Sequence, residues 1–364
     1  MTAADVLISG GGTGGHVFPA LALAEELVAR GYDRDRVRFV GAQRGLEATA
    51  VPAAGFAIDL LPGRGLQRGL GPRQLAQNLR TACDTVVAVA RAVRLVRRLR
   101  PRVVVGVGGY ASVPALVGAR LAGVPAVVHE ADAHPGLANR IAVRLGARPA
   151  VTLPGTPLPG AVVTGNPIRP AIAAVRRAPV IPPLVAVVGG SLGARSLNHA
   201  ALGLYDRWRG RSDVTIHHVS GVRDYEECRI RLEALRRPGD ALGYRLVPFE
   251  EHMEAIYTDA ALVVSRAGGM TAELTAVGVP AVLVPLPGAP GDHQTANAEA
   301  LAAVGAAVVV RDAALDPARL DTELTALLAD PDRRRAMGDA ARTLGRPDAT
   351  ARFADLVEEV AGAR

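Results

Sequence analysis

Short runs of four or five apolar residues recur along this chain, each followed by small residues and then by a longer amphipathic stretch. The short runs read as strands buried on both faces, and the long stretches as the helices that cover them. In the first half the predicted strands are Val6–Ser9, Val37–Val40, Val103–Val107, Ala126–His129 and Val162–Thr164. In the second half they are Leu184–Val188, Thr215–Val219, Tyr244–Val247, Leu262–Ser265 and Ala281–Val284. Helices fill most of the gaps, Ala20–Ala29 and Leu197–Trp208 among them. Such alternation predicts parallel sheets with helices on both faces, an α/β class.

Two glycine turns occur in the same strand–turn–helix setting, close to half a chain length apart. Val6–Ser9 runs into Gly10-Gly11-Gly12-Thr13-Gly14-Gly15-His16-Val17-Phe18-Pro19, and Val185–Val188 into Gly189-Gly190-Ser191-Leu192-Gly193-Ala194-Arg195. The repetition predicts two similar doubly wound domains in tandem, each with its own switch-point crevice. A chain of 364 residues is long enough for both. The join is expected at Gly165-Asn166-Pro167-Ile168-Arg169-Pro170, with domains 1–164 and 165–345 and a last helix at 346–364 completing the first.

A strand, a glycine turn and a helix N-terminus gather backbone N–H groups into an anion site. His16 adds a group that titrates near neutrality beside the expected phosphate. Gly10, Gly12 and Gly15 also fit the dinucleotide fingerprint, which wants an acid at the end of the second strand. That strand is followed by Gly41-Ala42-Gln43-Arg44, and Glu47 comes late, which argues against a nicotinamide dehydrogenase.

Composition narrows the partners. Aromatic residues are 3% of the chain, so its 49% of hydrophobic residues must build cores from Ala, Val and Leu. All 42 basic residues are arginine and the net charge is +7, which favours phosphates, nucleotides or an acidic membrane surface. Scattered arginines and few aromatics argue against nucleic acid. Cys83 and Cys228 lie far apart and read as reduced thiols of a cytosolic protein. Neither a secretory leader nor an apolar run long enough to span a bilayer is visible, so the expected location is cytoplasmic, with peripheral membrane contact. Asp33-Arg34-Asp35 spells a DxD but sits in a polar connection away from the glycine turns. It reads as a solvated turn, and no metal or other cofactor is predicted.

Further motifs follow in order: Gly106-Val107-Gly108-Gly109-Tyr110, His129-Glu130-Ala131-Asp132, Gly165-Asn166-Pro167-Ile168-Arg169, Arg266-Ala267-Gly268-Gly269-Met270-Thr271-Ala272-Glu273 and Asp292-His293-Gln294-Thr295-Ala296-Asn297. Together with the glycine turns they resemble, over nearly the whole chain, the MurG family of glycosyltransferase family 28. The resemblance implies the GT-B architecture, two Rossmann-like domains facing a deep cleft. It implies inverting transfer of N-acetylglucosamine from its UDP donor to a muramyl-pentapeptide pyrophosphate polyprenol, lipid I, giving lipid II on the cytoplasmic face of the membrane.

Residue by residue, the resemblance implies that His16 is the general base, a role a neutral imidazole suits near pH 7. A histidine that only binds phosphate is the alternative. Thr13, Gly14, Gly15 and Tyr110 would line the acceptor pyrophosphate. Glu273 would hold the donor ribose; otherwise it is a first-turn acid favourable to the helix dipole. Ser191 would contact the donor, or serve as an N-cap. Arg169, Glu250, Gly268, Gly269, Met270 and Thr271 join the donor set, Gln294 would bind sugar hydroxyls, and Asn297 reads as a structural cap. Asp132 is carried into the same set although the family usually has Asn there; an ionised Asp cannot donate. Leu192 and His293 stand where relatives often have Gln, and the stretch from Arg266 to Glu273 is one residue shorter. Arg64 to Arg100 would be the membrane-facing stretch, with Leu66, Leu70, Leu75 and Leu79 among Arg64, Arg68, Arg73 and Arg80, followed by Arg91, Arg94, Arg97, Arg98 and Arg100. A solvated basic face explains it equally well. The departures keep a paralogue with another polyprenyl or secondary-metabolite acceptor as a rival, the shortening keeps a non-catalytic UDP-sugar-binding protein, and the two-domain scaffold also admits a sugar-nucleotide epimerase.

Overall fold

The computed structural model describes residues 4–43, 45–62, 72–132, 134–190 and 193–362, without the side chains of 72–83, 85 and 290. The chain divides into one unit of Met1–Arg169 with Asp348–Arg364 and another of Pro170–Pro347. In the first unit, strands β1 (Val6–Ser9), β2 (Val37–Ala42), β3 (Ile58–Leu61), β4 (Val103–Gly106), β5 (Ala126–Glu130), β6 (Arg148–Val151) and β7 (Val162–Val163) alternate with helices α1 (Gly14–Ala29), α2 (Glu47–Ala53), α3 (Pro72–Leu99), α4 (Ser112–Ala122) and α5 (Leu137–Arg144). The second unit holds α6 (Pro170–Ala173), β8 (Leu184–Val188), α7 (Arg195–Trp208), β9 (Thr215–Val219), α8 (Tyr225–Leu235), β10 (Gly243–Val247), α9 (Met253–Asp259), β11 (Ala260–Ser265), α10 (Met270–Val277), β12 (Ala281–Leu283), α11 (His293–Ala303), β13 (Ala307–Val309), α12 (Pro317–Ala329) and α13 (Pro331–Leu344). The last helix, α14 (Ala349–Gly362), belongs to the first unit.

The strand orders are β3-β2-β1-β4-β5-β6-β7 and β10-β9-β8-β11-β12-β13, and the described pairings are parallel. This is the doubly wound α/β fold that the alternating pattern predicts. Val and Ile side chains of the first sheet are covered on one face by Leu23 and Leu27 of α1 and Phe353 and Val357 of α14. Leu95, Val96 and Leu99 of α3 and Leu116 of α4 cover the other. Phe353 is fully buried, Thr350 exchanges hydrogen bonds of 3.0 and 2.7 Å with the backbone of Ile168, and Arg30 pairs with Asp355 and Glu358 at 2.7 Å each. Apolar burial, backbone bonding and charge thus anchor α14 on this unit.

Each sheet reverses its winding direction once, beside β1 and beside β8. Ser9 pairs with Gly106, so the turns that leave β1 and β4 emerge side by side. Val188 pairs with Ser265, which does the same for the turns after β8 and β11. Four of the sequence motifs therefore meet in pairs at the switch points, where doubly wound sheets bind ligands.

Three strands escape the sequence pattern: β3, β6 and β13. Asp59 interrupts the first, Pro149 and Ala150 weaken the second, and the third is three residues long. Neighbouring strands supply the pairing that such local preferences do not. Helix α1 starts at Gly14 rather than Ala20, so His16 lies in its first turn and Pro19 lies inside it. As the sixth helical residue, Pro19 gives up the bond that an N–H there would donate to the Gly15 carbonyl.

Candidate functional site

In the first unit the candidate site is built on the turns that follow β1 and β4. Thr13 is the extended N-cap residue of α1, and Gly14 and Gly15 are the first two helical residues, whose N–H groups point out of the helix end. The ring of His16 lies against the turn after β4. A β-carbon on Gly108 would sit 2.8 Å from His16 Cδ2 and 3.0 Å from Nε2, and one on Gly109 would sit 2.5 Å from the Gly11 carbonyl oxygen. Both glycines also hold positive φ, +94° and +78°, which L side chains rarely adopt. His16 Nδ1 contacts the Gly11 carbonyl at 3.2 Å. A carbonyl only accepts, so Nδ1 carries the proton and the basic lone pair is on Nε2. Tyr110 is partly exposed beside Gly12, and burial together with the charge of Glu47 pushes its hydroxyl pKa up.

Glu47 is the residue the sequence reading passed over as too late to matter. It opens α2, is 1% exposed, and accepts from the N–H groups of Gly12 at 2.8 Å and Ala42 at 2.9 Å. The only signals in the chain are the glycines around it: a β-carbon at Gly11, Gly41 or Gly45 would collide with its side chain. Glu130, at the end of β5, was likewise quoted without a role. Buried, it accepts from the N–H groups of Asp132 and Gly136 and from Asn139 Nδ2 at 3.1, 2.8 and 2.9 Å, and burial raises its pKa. Asp132 thus stands in the first unit, on a turn organised by Glu130. Arg169 is also in the first unit, its guanidinium 5.9 Å from the Phe18 ring centre.

In the second unit, Gly189, Gly190 and Gly193 lead into α7, while Ser191 and Leu192 lie outside the described residues. A β-carbon on Gly193 would strike the Ser220 carbonyl and lie 2.8 Å from Asp224 Oδ2. Behind the turn, Asn198 Nδ2 donates to the Ser220 carbonyl at 3.0 Å and to Asp224 at 3.3 Å. Its Oδ1 accepts from His218 Nε2 at 2.9 Å, and the other ring nitrogen accepts from the Tyr244 hydroxyl at 2.8 Å. This buried chain satisfies both ring nitrogens of His218 and holds the turn from below.

On the neighbouring turn, Arg266 ties the loop to the Val284 and Pro285 carbonyls and to Asp312. Thr271 Oγ1 donates to the Gly268 carbonyl at 2.8 Å. Gln294 lies over Gly268, its Nε2 3.5 Å from where a β-carbon would be, and its Oε1 accepts from the Leu286 N–H. Asn297, expected as a cap, is a buried residue inside α11 that donates to the Ala267 carbonyl at 3.1 Å. Gly269 precedes α10, Met270 opens it, and Glu273 is the acid of its first turn. Tyr257, fully buried on α9, donates to Glu273 Oε2 at 2.6 Å. Glu250 faces His217, Oε2 to Nε2 3.3 Å, with His217 pushed down in pKa chiefly by burial. Asp33 accepts from the Asp35 N–H and caps a short turn. Among the described residues no cluster of three or more His, Cys, Asp or Glu side chains is arranged to hold a metal ion.

Two buried imidazoles make stability pH-dependent. Burial lowers His129 to about 4 and His218 to about 3. An unfolded histidine titrates near ~6.5, so their contribution is fully present above that pH and is lost as the pH falls through the folded values. The melting temperature should therefore drop between pH 7.5 and 4.5. His129→Gln, which can still donate to the Gly165 carbonyl that His129 contacts at 2.9 Å, should flatten that slope in calorimetry. An unchanged slope would clear His129 of the effect.

The chain matches the glycosyltransferase family 28 N-terminal domain over residues 6–150 and the glycosyltransferase family 28 C-terminal domain over residues 184–360. It is 45% identical, over 98% of this chain and 99% of the relative, to the UDP-N-acetylglucosamine–N-acetylmuramyl-(pentapeptide) pyrophosphoryl-undecaprenol N-acetylglucosamine transferase of Alkalilimnicola ehrlichii. The protein of the same name from Halorhodospira halophila is 44% identical, over 99% of each chain. Among solved structures, MurG of Acinetobacter baumannii aligns with a TM-score of 0.73 at 30% identity over 98% of this chain and 99% of that one. A UDP-N-acetylglucosamine 2-epimerase aligns with a TM-score of 0.66 at 16% identity over 100% of this chain and 98% of that one, a likeness of fold alone.

Proposed function

The chain belongs to glycosyltransferase family 28, and on that premise we propose how its residues divide the reaction. It is a UDP-N-acetylglucosamine-dependent hexosyltransferase. It moves N-acetylglucosamine onto N-acetylmuramyl-(pentapeptide) pyrophosphoryl-undecaprenol, lipid I, and so makes lipid II for peptidoglycan.

In our reading a hydroxyl of the muramyl sugar attacks the anomeric carbon of the donor and gives its proton to His16 Nε2. The bond from that carbon to the diphosphate oxygen breaks as the new bond forms, its electron pair leaves with UDP, and the single displacement inverts the centre. The observation that carries this is the imidazole held against the Gly108–Gly109 backbone with Nδ1 3.2 Å from the Gly11 carbonyl, which leaves the lone pair on Nε2. Thr13, Gly14, Gly15 and Tyr110 receive the acceptor pyrophosphate at the N-terminus of α1. The glycine turn at α7 stabilises the departing diphosphate through backbone N–H groups and the helix dipole. Glu273 holds the ribose, Gln294 the sugar, and Gly268, Gly269, Met270 and Thr271 the rest of the donor, with Asp132, Arg169, Ser191 and Glu250 as further donor contacts. No metal takes part in this reading, so transfer should persist in a chelator.

We also propose that the first unit rests on the anionic cytoplasmic leaflet. Among the described residues no helix is long and apolar enough to cross a membrane. The second half of α3 exposes Val86 (71%) and Val87 (46%) beside Arg91, Arg94, Arg97 and Arg98. Apolar contact plus about 1 kcal/mol per arginine at an anionic surface suits reversible binding. Arg64, Leu66, Arg68 and Leu70 lie outside the described residues, as do the side chains of Arg73, Leu75, Leu79 and Arg80.

The test is transfer of label from UDP-N-acetylglucosamine to a short-chain lipid I analogue, with and without chelator. Labelled disaccharide lipid in both samples supports the full reading. Loss of transfer in chelator overturns its metal-free part, and donor binding without transfer in either sample points to a different acceptor.

A further inference from the structure

One peptide unit joins Glu47 to His16. The N–H of the Gly11–Gly12 peptide is that of Gly12, and it donates to Glu47 Oε2 at 2.8 Å. The carbonyl of the same peptide is that of Gly11, and it accepts from His16 Nδ1 at 3.2 Å. The second carboxylate oxygen accepts from Ala42 at the end of β2, so the sheet fixes its orientation. Three glycines make the arrangement possible, because a β-carbon at Gly11, Gly41 or Gly45 would occupy the space of the Glu47 side chain.

We infer that Glu47 is a positioning residue for the transfer reaction, acting on His16 through the Gly11–Gly12 peptide as a carboxylate–peptide–imidazole relay. A negative charge on the N–H end of a peptide draws electron density onto its oxygen and makes the carbonyl a stronger acceptor. That holds the proton on Nδ1 and the lone pair on Nε2. When Nε2 takes the acceptor's proton, the imidazolium donates more strongly to a carbonyl already backed by the carboxylate. No proton travels along the relay; the carboxylate works by charge and orientation, as the acid beside a catalytic histidine does when it touches the ring directly. The occupied Gly12 N–H also leaves the pyrophosphate to Gly14 and Gly15 at the helix N-terminus. Other groups set the same potential. His129 on β5 lies within electrostatic reach of His16, Tyr110 stands beside Gly12, and Arg169 lies over Phe18.

The inference rests on His16 as the base, and the experiment separates the two. Glu47→Gln should lower kcat about ten- to a hundredfold, the usual cost of losing an orienting partner, with UDP-N-acetylglucosamine affinity unchanged. Removing the charge destabilises the imidazolium, so the acidic limb of the pH profile should move to lower pH, while Glu47→Asp should leave the limb in place. In a His16→Ala background the Gln substitution should cost almost nothing more. Losses that multiply in the double variant, or a limb that does not move, would reduce Glu47 to a structural residue. Should His16→Ala retain the wild-type rate, the base assignment and the relay fall together. A slow His16→Ala beside a fully active Glu47→Gln sinks the relay alone. For a Gln variant that fails to fold, nitrogen-15 shifts of the His16 ring in the wild-type enzyme decide, and a proton on Nε2 at pH 8 overturns the inference.

Discussion

Replacing His16 by alanine is expected to lower turnover about a hundred- to ten-thousandfold, the range that a general base contributes, while donor affinity stays within about twofold. The reason is geometric. The ring lies on the Gly108–Gly109 backbone and its Nδ1 is committed to the Gly11 carbonyl, so the side chain is a fixed group of the first unit. The residues assigned to UDP and the ribose are chiefly on the other unit. Steady-state kinetics at saturating donor, with isothermal titration of UDP-N-acetylglucosamine, separates the two effects. A variant that turns over at a near wild-type rate would sink the base assignment. One that loses affinity and rate together would recast His16 as a binding residue.

Glu273→Ala is expected to weaken UDP-N-acetylglucosamine binding about ten- to a hundredfold, because a carboxylate accepting from two vicinal ribose hydroxyls makes charge-assisted bonds of roughly 1.5–3 kcal/mol each before solvent competition. Turnover at saturating donor should change little. The alanine also removes the acceptor of the fully buried Tyr257 hydroxyl, so the protein should melt at a lower temperature. Glu273→Gln keeps an acceptor for Tyr257 and separates stability from affinity. Tyr257→Phe removes the hydroxyl that donates to the carboxylate, and should cost about two- to tenfold in affinity, the worth of one net hydrogen bond. Donor affinity that is unchanged in Glu273→Ala would leave that residue as a helix-end acid and no more.

The relatives at 40–45% identity over nearly the whole chain decide among the rivals that the motif departures had kept open. Helix α10 is regular over Met270–Val277, with Glu273 in its first turn and engaged by Tyr257.

The α/β alternation, all strands but β3, β6 and β13, the two glycine turns and the family were legible in the sequence, because they depend on local patterns: apolar runs, glycines before helices, and motifs in a set order. His16 stood out as the histidine that ends a glycine turn, whereas Glu273 and Gln294 were singled out by the resemblance of their motifs to the family. What the linear pattern could not supply was which turn lies beside which. The register Ser9 to Gly106 puts Gly108 and Gly109, nearly a hundred positions away, under the His16 ring. Glu47 looked irrelevant because it follows its strand by several residues, yet β2 and α2 fold it back under Gly12. Nothing in the linear pattern singles out Tyr257, and its hydroxyl reaches Glu273 only through the fold that places α9 near α10. Hydrogen bonds between distant segments depend on ångström-scale placement set by the whole sheet, whereas apolar periodicity and turn chemistry are set within a few residues. For that reason the elements and the motif residues came from the sequence, and the partners that orient those residues came only from the tertiary structure.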